Sequence, residues 1–124
     1  GGKQRPAAYR DFCVLIRNAN AHGGVYAAKL REMMISVVEE GSGVNAKPEK
    51  GGAGGKTASA QTGQLDGDGN EIIHAWFVGF YPAEKPRYAI AVFAEGMESG
   101  CDFAAPVFKK ICDGIAETAV YETK

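Results

Sequence analysis

A lysine, a threonine and a serine follow a run of glycines in the stretch GGAGGKTAS, residues 51–59. Glycines that end in Lys-Ser/Thr are typical of a phosphate-binding loop, which requires Gly-x-x-x-x-Gly-Lys-Ser/Thr. Gly55, Lys56 and Thr57 supply the end of that motif, but Lys50 stands where its first glycine is required. The polar segment NAKPEK precedes the glycines, where a phosphate loop would follow a buried strand. We therefore interpret the glycines as a flexible lead-in to a strand, not as a nucleotide site.

Two further features have the residue types of metal or acid–base chemistry. The acidic turn DGDGNE, residues 66–71, alternates oxygen ligands as a calcium loop does. However, Glu71 occupies the position of the required glycine, and Phe77 occupies that of the bidentate glutamate. His22 and His74 are isolated, and His74 alternates with apolar residues, which indicates a structural histidine. We expect a hairpin turn, no metal site and no cofactor.

Composition favours one globular domain over residues 1–124. The chain is 45% hydrophobic and 23% charged, with a formal net charge of −1. A nucleic-acid-binding domain usually has a basic surface, so we expect no nucleic-acid partner. No apolar run is long enough to span a bilayer. Cys13, Cys101 and Cys112 form no zinc pattern and are interpreted as buried thiols, with one Cys101–Cys112 bridge left open.

Apolar residues at helical spacing predict two helices. The first lies in AAKLREMMISVVEE, with a core-facing stripe formed by Leu30, Met33, Met34, Val37 and Val38. The second lies in DFAAPVFKKICDGIAETAV, with Asp102 as its N-cap. Residues 8–17 predict a strand, and residues 25–27 a short return strand.

Three more segments predict strands, at residues 56–65, 72–82 and 87–95. The last two are apolar on both faces, so we expect both faces of the sheet to be covered. The small residues Ala75 and Gly79 on one strand, and Ala89 and Ala91 on the other, favour close packing of the second helix. Short turns join the strands. The predicted fold class is therefore α+β, an antiparallel three-stranded meander packed with helices.

The order of these motifs resembles a known family. GGKTASAQTG, then HAWFVGFYPAEKPRYAIAVFAE, then an amphipathic helix are similar to the C-terminal part of the penicillin-binding protein transpeptidase domain. The resemblance covers residues 29–118, and RPAAYRDFCVLIR is similar to a peripheral hairpin of that domain. It implies a partial penicillin-binding/β-lactamase-like fold.

The resemblance also implies an activity. Members acylate a serine with D-Ala-D-Ala stem peptides and cross-link peptidoglycan on the extracytoplasmic face of the bacterial membrane, and β-lactams trap that serine. The family's Ser-x-x-Lys and Ser-x-Asn motifs are absent here, because none of the four serines fits either: Ser36, Ser42, Ser59 and Ser99. The chain is therefore expected to be the last third of a catalytic domain, inactive alone. A non-catalytic binding or structural module of the same fold is the alternative.

By the same resemblance, the substrate-binding residues are Lys56, Thr57, Ala58 and Ser59. Lys56 would place positive charge beside the anionic substrate terminus. The hydroxyls of Thr57 and Ser59 would bind its carboxylate, and the Ser59 N–H would donate to the oxyanion. The family usually has glycine where this chain has Ala58, so the added methyl either fits or crowds the groove. The strand 87–95 is expected to expose an edge through which the chain associates with itself.

Overall fold

A computed structural model describes residues 24–121 of the chain. Two helices flank three strands, in the order α1 (Gly24–Glu39), β1 (Gly54–Leu65), β2 (Glu71–Tyr81), β3 (Tyr88–Ala94) and α2 (Ala105–Tyr121). A 3-10 turn at Val44–Ala46 precedes β1, and a π-helical turn at Gly100–Ala104 leads into α2. The strands form one antiparallel sheet in the order β1-β2-β3. The predicted α+β meander is confirmed.

The two upstream strand predictions have different outcomes. Residues 8–17 lie outside the described residues. The predicted return strand at 25–27 is wrong, because these residues form the first turns of α1. Val25 and Tyr26 have strand-type side chains, but they are 74% and 54% exposed. Strand propensity reflects packing on a half-buried sheet, and no such packing competes with the helix here.

The register of the sheet divides its side chains between two faces. Opposite residues of an antiparallel pair share a face, and successive residues alternate. The covered face carries Thr57, Ser59, Ala75, Phe77, Gly79, Ile90, Val92 and Ala94. The open face carries Lys56, Ala58, His74, Trp76, Val78, Ala89, Ala91 and Phe93.

Helix α2 packs on the covered face. The rings of Phe77 and Phe108 lie 4.6 Å apart between centroids, and both side chains are fully buried. Gly79 lies beneath the same Phe108 ring, as the small residues predicted. The prediction for Ala89 and Ala91 is wrong, because they lie on the open face and β3 turns Ile90, Val92 and Ala94 toward α2.

The open face is exposed over the described residues, so the prediction of two covered faces is wrong for this part of the chain. Trp76 is 36%, Val78 48% and Phe93 47% exposed. Trp76 and Phe93 contact each other, with ring centroids 4.5 Å apart. Both described helices pack elsewhere, since α2 covers the opposite face and α1 packs against β1.

Helix α1 turns only part of the predicted stripe inward, and Met34 and Val37 are half-buried. Val38 is buried, whereas Leu30 and Met33 are 45% and 55% exposed, so their predicted core position is wrong. The Arg31 guanidinium donates to the carbonyl oxygens of Ala83 and Glu84, which lie in the β2–β3 turn. The side of α1 that carries Arg31 therefore faces the β2–β3 turn, and Leu30 and Met33 remain exposed to solvent.

The glycines before Lys56 are more ordered than a flexible lead-in. Gly54 and Gly55 belong to β1 and are buried. A β-carbon at either position would overlap the aromatic ring of Phe80 or Phe77. The strand therefore enters the sheet between two aromatic rings, one on each face, which only residues without a side chain allow.

Candidate functional site

The segment Lys56–Ser59 lies on the outermost strand of the described sheet. The Lys56 ammonium donates to the carbonyl oxygen of Thr57 at 2.6 Å. That carbonyl therefore faces the outer edge of β1, away from β2. Because backbone groups alternate along a strand, the N–H of Ser59 faces the same edge. This edge has no strand partner among residues 24–121.

The side chains of the segment divide between the two faces of the sheet. Thr57 and Ser59 share the covered face, as their spacing predicted, and Lys56 and Ala58 lie on the open face. Lys56 and Ala58 are both exposed. The structure thus brings the two hydroxyls together, while the lysine reaches the edge from the opposite side.

Each hydroxyl has a partner that the sequence did not indicate. Thr57 Oγ1 lies 3.1 Å from Ser42 Oγ, and Ser59 Oγ donates to the carbonyl oxygen of Glu98 at 2.9 Å. Ser42 follows α1 and Glu98 follows β3. In the sequence both lie in stretches interpreted only as connections, so no local pattern marks them.

The segment after β3 is held by side chains from several elements. His74 Nδ1 accepts from the N–H of Gly96 at 3.1 Å, and its ring packs edge-on against Phe93. His74 is therefore a structural histidine, as predicted. The predicted N-cap is wrong, because Ser99 Oγ accepts from the N–H of Asp102 and begins the π-helical turn that precedes α2.

A polar cluster on α2 lies apart from the predicted site residues. Lys109 binds both Glu49, at 2.5 Å, and Asp113, at 3.0 Å. Burial alone would raise the pKa of Asp113, but the Glu49 N–H and Lys109 together lower it. The bonds to Glu49 and Asp113 raise the pKa of Lys109. Glu49 and Asp113 line part of a cleft of about 190 Å³.

The cysteine alternative is settled for the two described thiols. Cys101 and Cys112 are both free. Burial, with a contribution from Asp113, raises the pKa of Cys112 to about 12. The Cys112 thiol is therefore protonated at neutral pH and acts as a small apolar side chain in the core.

The acidic turn is a hairpin turn, as predicted. Asp66 Oδ1 accepts from the N–H groups of Asn70 and Asp68. These bonds, those to Asn70 first, lower the pKa of Asp66. Over residues 24–121 no group of three His, Cys, Asp or Glu side chains is placed to hold a metal ion. None of the helices in the same span has the length and apolar character needed to cross a bilayer.

Sequence comparison relates the chain to cell-wall enzymes. The family model "Penicillin binding protein transpeptidase domain" matches residues 24–113. Peptidoglycan D,D-transpeptidase MrdA of Acinetobacter baumannii is 35% identical over 92 residues, which are 64% of this chain and 14% of that protein. Probable peptidoglycan D,D-transpeptidase PenA of Neisseria flavescens is 31% identical over 120 residues, which are 91% of this chain and 30% of that protein.

Comparison with solved structures agrees with this result. The transpeptidase domain of the FtsI4 D,D-transpeptidase from Legionella pneumophila superposes with a TM-score of 0.62 and 27% identity. The superposition covers 73% of this chain and 35% of that one. The chain therefore spans about a third or less of the proteins that it matches here.

Proposed function

Because the chain belongs to the penicillin-binding protein transpeptidase family, we propose that it is the C-terminal part of a peptidoglycan D,D-transpeptidase. One observation carries this proposal. The segment Lys56–Ser59 lies at an edge of β1 that has no strand partner in the described part of the chain, inside the region that the family model matches. Residues 1–124 then form one part of a single catalytic domain, and the rest of that domain supplies the nucleophile.

We assign each site residue a role in holding the substrate. The Lys56 ammonium supplies positive charge at the edge of β1, where an anionic peptide terminus is stabilised. The Thr57 hydroxyl donates to the terminal carboxylate, whereas the Ser59 hydroxyl donates to the Glu98 carbonyl and holds the strand. The Ser59 N–H faces the open edge and donates to the oxyanion that forms during acyl transfer. An extended peptide adds to this edge as a further strand.

The reaction needs a serine that lies outside this chain. Its oxygen forms an ester with the carbonyl carbon of the penultimate D-Ala, and the bond to the terminal D-Ala breaks. An amine of a second stem peptide then takes the acyl group, and the serine regains its proton. β-Lactams acylate the same serine. The substrate places the parent protein on the extracytoplasmic side of the bacterial membrane.

The test is to locate the acylated residue in the full-length gene product. After reaction with benzylpenicillin, peptide mass spectrometry should find the adduct on a serine of a Ser-x-x-Lys motif upstream of this chain. The isolated 124-residue chain should carry no adduct. An adduct on Ser36, Ser42, Ser59 or Ser99 would contradict the proposal.

A non-catalytic module of the same fold is the second candidate, and Ala58 is the observation that favours it. Its methyl group shares the exposed face with Lys56, where the family usually has glycine. If that methyl closes the groove, the full-length protein would bind the wall without being acylated. A folded full-length protein that takes up no benzylpenicillin would favour this second function.

A further inference from the structure

The loop between β3 and α2 is tied to three separate elements. We call residues 95–101 the clasp. From β2, His74 accepts from the N–H of Gly96, and from β1, Ser59 donates to the carbonyl of Glu98. From the 3-10 turn, the Asn45 amide donates to the carbonyl oxygen of Cys101 at 3.1 Å and to its sulfur at 3.3 Å. The clasp is therefore fixed at its start, its middle and its end.

Gly100 lies where the clasp meets the substrate-binding strand. Gly100 is buried, and in the β1–β2 pair beneath it Ala58 lies directly opposite Trp76. A β-carbon at Gly100 would lie 2.6 Å from the carbonyl oxygen of Trp76 and 2.7 Å from that of Ala58. Both atoms belong to the backbone, so neither can turn aside as a side chain would. A larger residue at position 100 must displace the strand or the clasp.

Two parts of the clasp bear on one short segment of β1. Gly100 lies close over the backbone of Ala58, and the Glu98 carbonyl accepts from the side chain of Ser59 on the same face. The carbonyl of Ala58 and the N–H of Ser59 belong to the same planar peptide unit. By holding that unit, the clasp fixes the direction in which the Ser59 N–H points at the edge of β1. The hydrogen bonds from Asn45 to Cys101 hold the end of the clasp in place over the sheet.

We propose that Gly100 and Asn45 are positioning residues, which align the Ser59 N–H through the clasp without touching the substrate. This inference rests on the proposed function of Ser59 as an oxyanion donor. An error of about 1 Å in such a donor can cost about 100-fold in rate. Gly100 and Asn45 therefore control how well the edge of β1 stabilises acyl transfer.

The first test uses the 124-residue chain and amide hydrogen exchange measured by NMR. We compare the exchange rate of Ala58 with that of Val92 in the same protein, because this ratio separates local opening from global unfolding. In Asn45→Ala and Gly100→Ala the ratio should rise at least ~10-fold, and the Ser59 amide resonance should shift. An unchanged ratio in both variants would overturn the proposal.

Two matched controls make the same two kinds of substitution elsewhere in the chain. Asn70→Ala removes a side-chain hydrogen bond to Asp66 in the β1–β2 turn. Gly114→Ala adds a methyl group that meets no atom within 4 Å outside the local backbone of α2. Neither should change the ratio. If Gly100→Ala is insoluble, Asn45→Ala decides alone, because Asn45 is exposed and its loss leaves the core unchanged.

The second test measures acylation of the full-length protein by labelled penicillin. Gly100→Ala should lower the second-order rate constant at least ~10-fold, and Gly114→Ala should leave it unchanged. A normal rate in Gly100→Ala would also overturn the proposal. If the wild type is not acylated, the proposed function fails, and the exchange ratio still decides whether the clasp positions Ser59.

Discussion

Thr57 and Ser59 illustrate what a local pattern can predict at the residue scale. Their shared face follows from the period of two along a strand, which adjacent residues fix by themselves. Their partners do not follow, because Ser42 is 15 positions away and Glu98 is 39 positions away. A contact over such a separation depends on the tertiary fold. The shared face of Thr57 and Ser59 was therefore predictable from the sequence, whereas the residues that hold them were not.

A residue-scale prediction concerns Asp113. Hydrogen bonds from the Glu49 N–H and Lys109 outweigh burial and lower its pKa in the folded protein. The ionised carboxylate therefore stabilises the fold above its unfolded pKa of about 3.9. That contribution is lost as the pH falls through the lower folded pKa. Asp113→Asn should reduce the free energy of unfolding by about 1 kcal/mol at pH 7, and the difference should narrow below about pH 4.

Urea unfolding of both proteins between pH 3 and pH 7 measures this difference. Glu117→Gln is the control, because Glu117 lines the same cleft but is exposed. It should change the stability little at either pH. A deficit for Asp113→Asn that is as large at pH 3 as at pH 7 would show that the charge is not the cause.

At the scale of elements, strand existence was predicted and helix orientation was not. The three strands are marked by apolar alternation and turn residues, and all three form with the expected order. Leu30 and Met33 of the predicted α1 stripe are exposed, and Arg31 binds carbonyl groups 52 and 53 positions away. Ala89 and Ala91 were assigned to the wrong face because small residues suit a helix contact and an exposed face equally. In both cases the missing information was a long-range contact.

The free edge of β3 leads to a prediction about this element. The outer edge of β3 has no strand partner among residues 24–121, and the side chain of Phe93 on this strand is exposed. Unpaired edges with apolar side chains favour pairing between chains. We predict that the 124-residue chain self-associates, and that Ala91→Lys, which places a charge on the exposed face of β3, weakens the association.

Sedimentation equilibrium over a range of concentrations measures this association. Gln64→Lys is the control, since it adds the same charge at the exposed end of β1. It should leave the association unchanged. A wild-type chain that stays monomeric at high concentration would contradict the prediction.

At the scale of the whole molecule, the two faces of the sheet differ over the described residues. One face of the sheet is packed beneath α2, and the other exposes Trp76, Val78 and Phe93. Apolar patches of this kind mark surfaces that contact other protein. The sequence predicted that both faces of β2 and β3 are apolar, because the residues of the two strands determine this property directly. The sequence could not predict which of the two faces α2 covers.

The central claim is that the open edge of β1 binds the substrate of a D,D-transpeptidase. The most direct measurement is the second-order rate of acylation of the full-length protein by labelled penicillin. Lys56→Ala and Thr57→Val remove the charge and the hydroxyl from that edge. Gln64→Ala changes an exposed residue of the same strand, outside the site. We predict that each site variant lowers the rate at least ~10-fold and that Gln64→Ala does not, whereas unchanged rates in both site variants would contradict the claim.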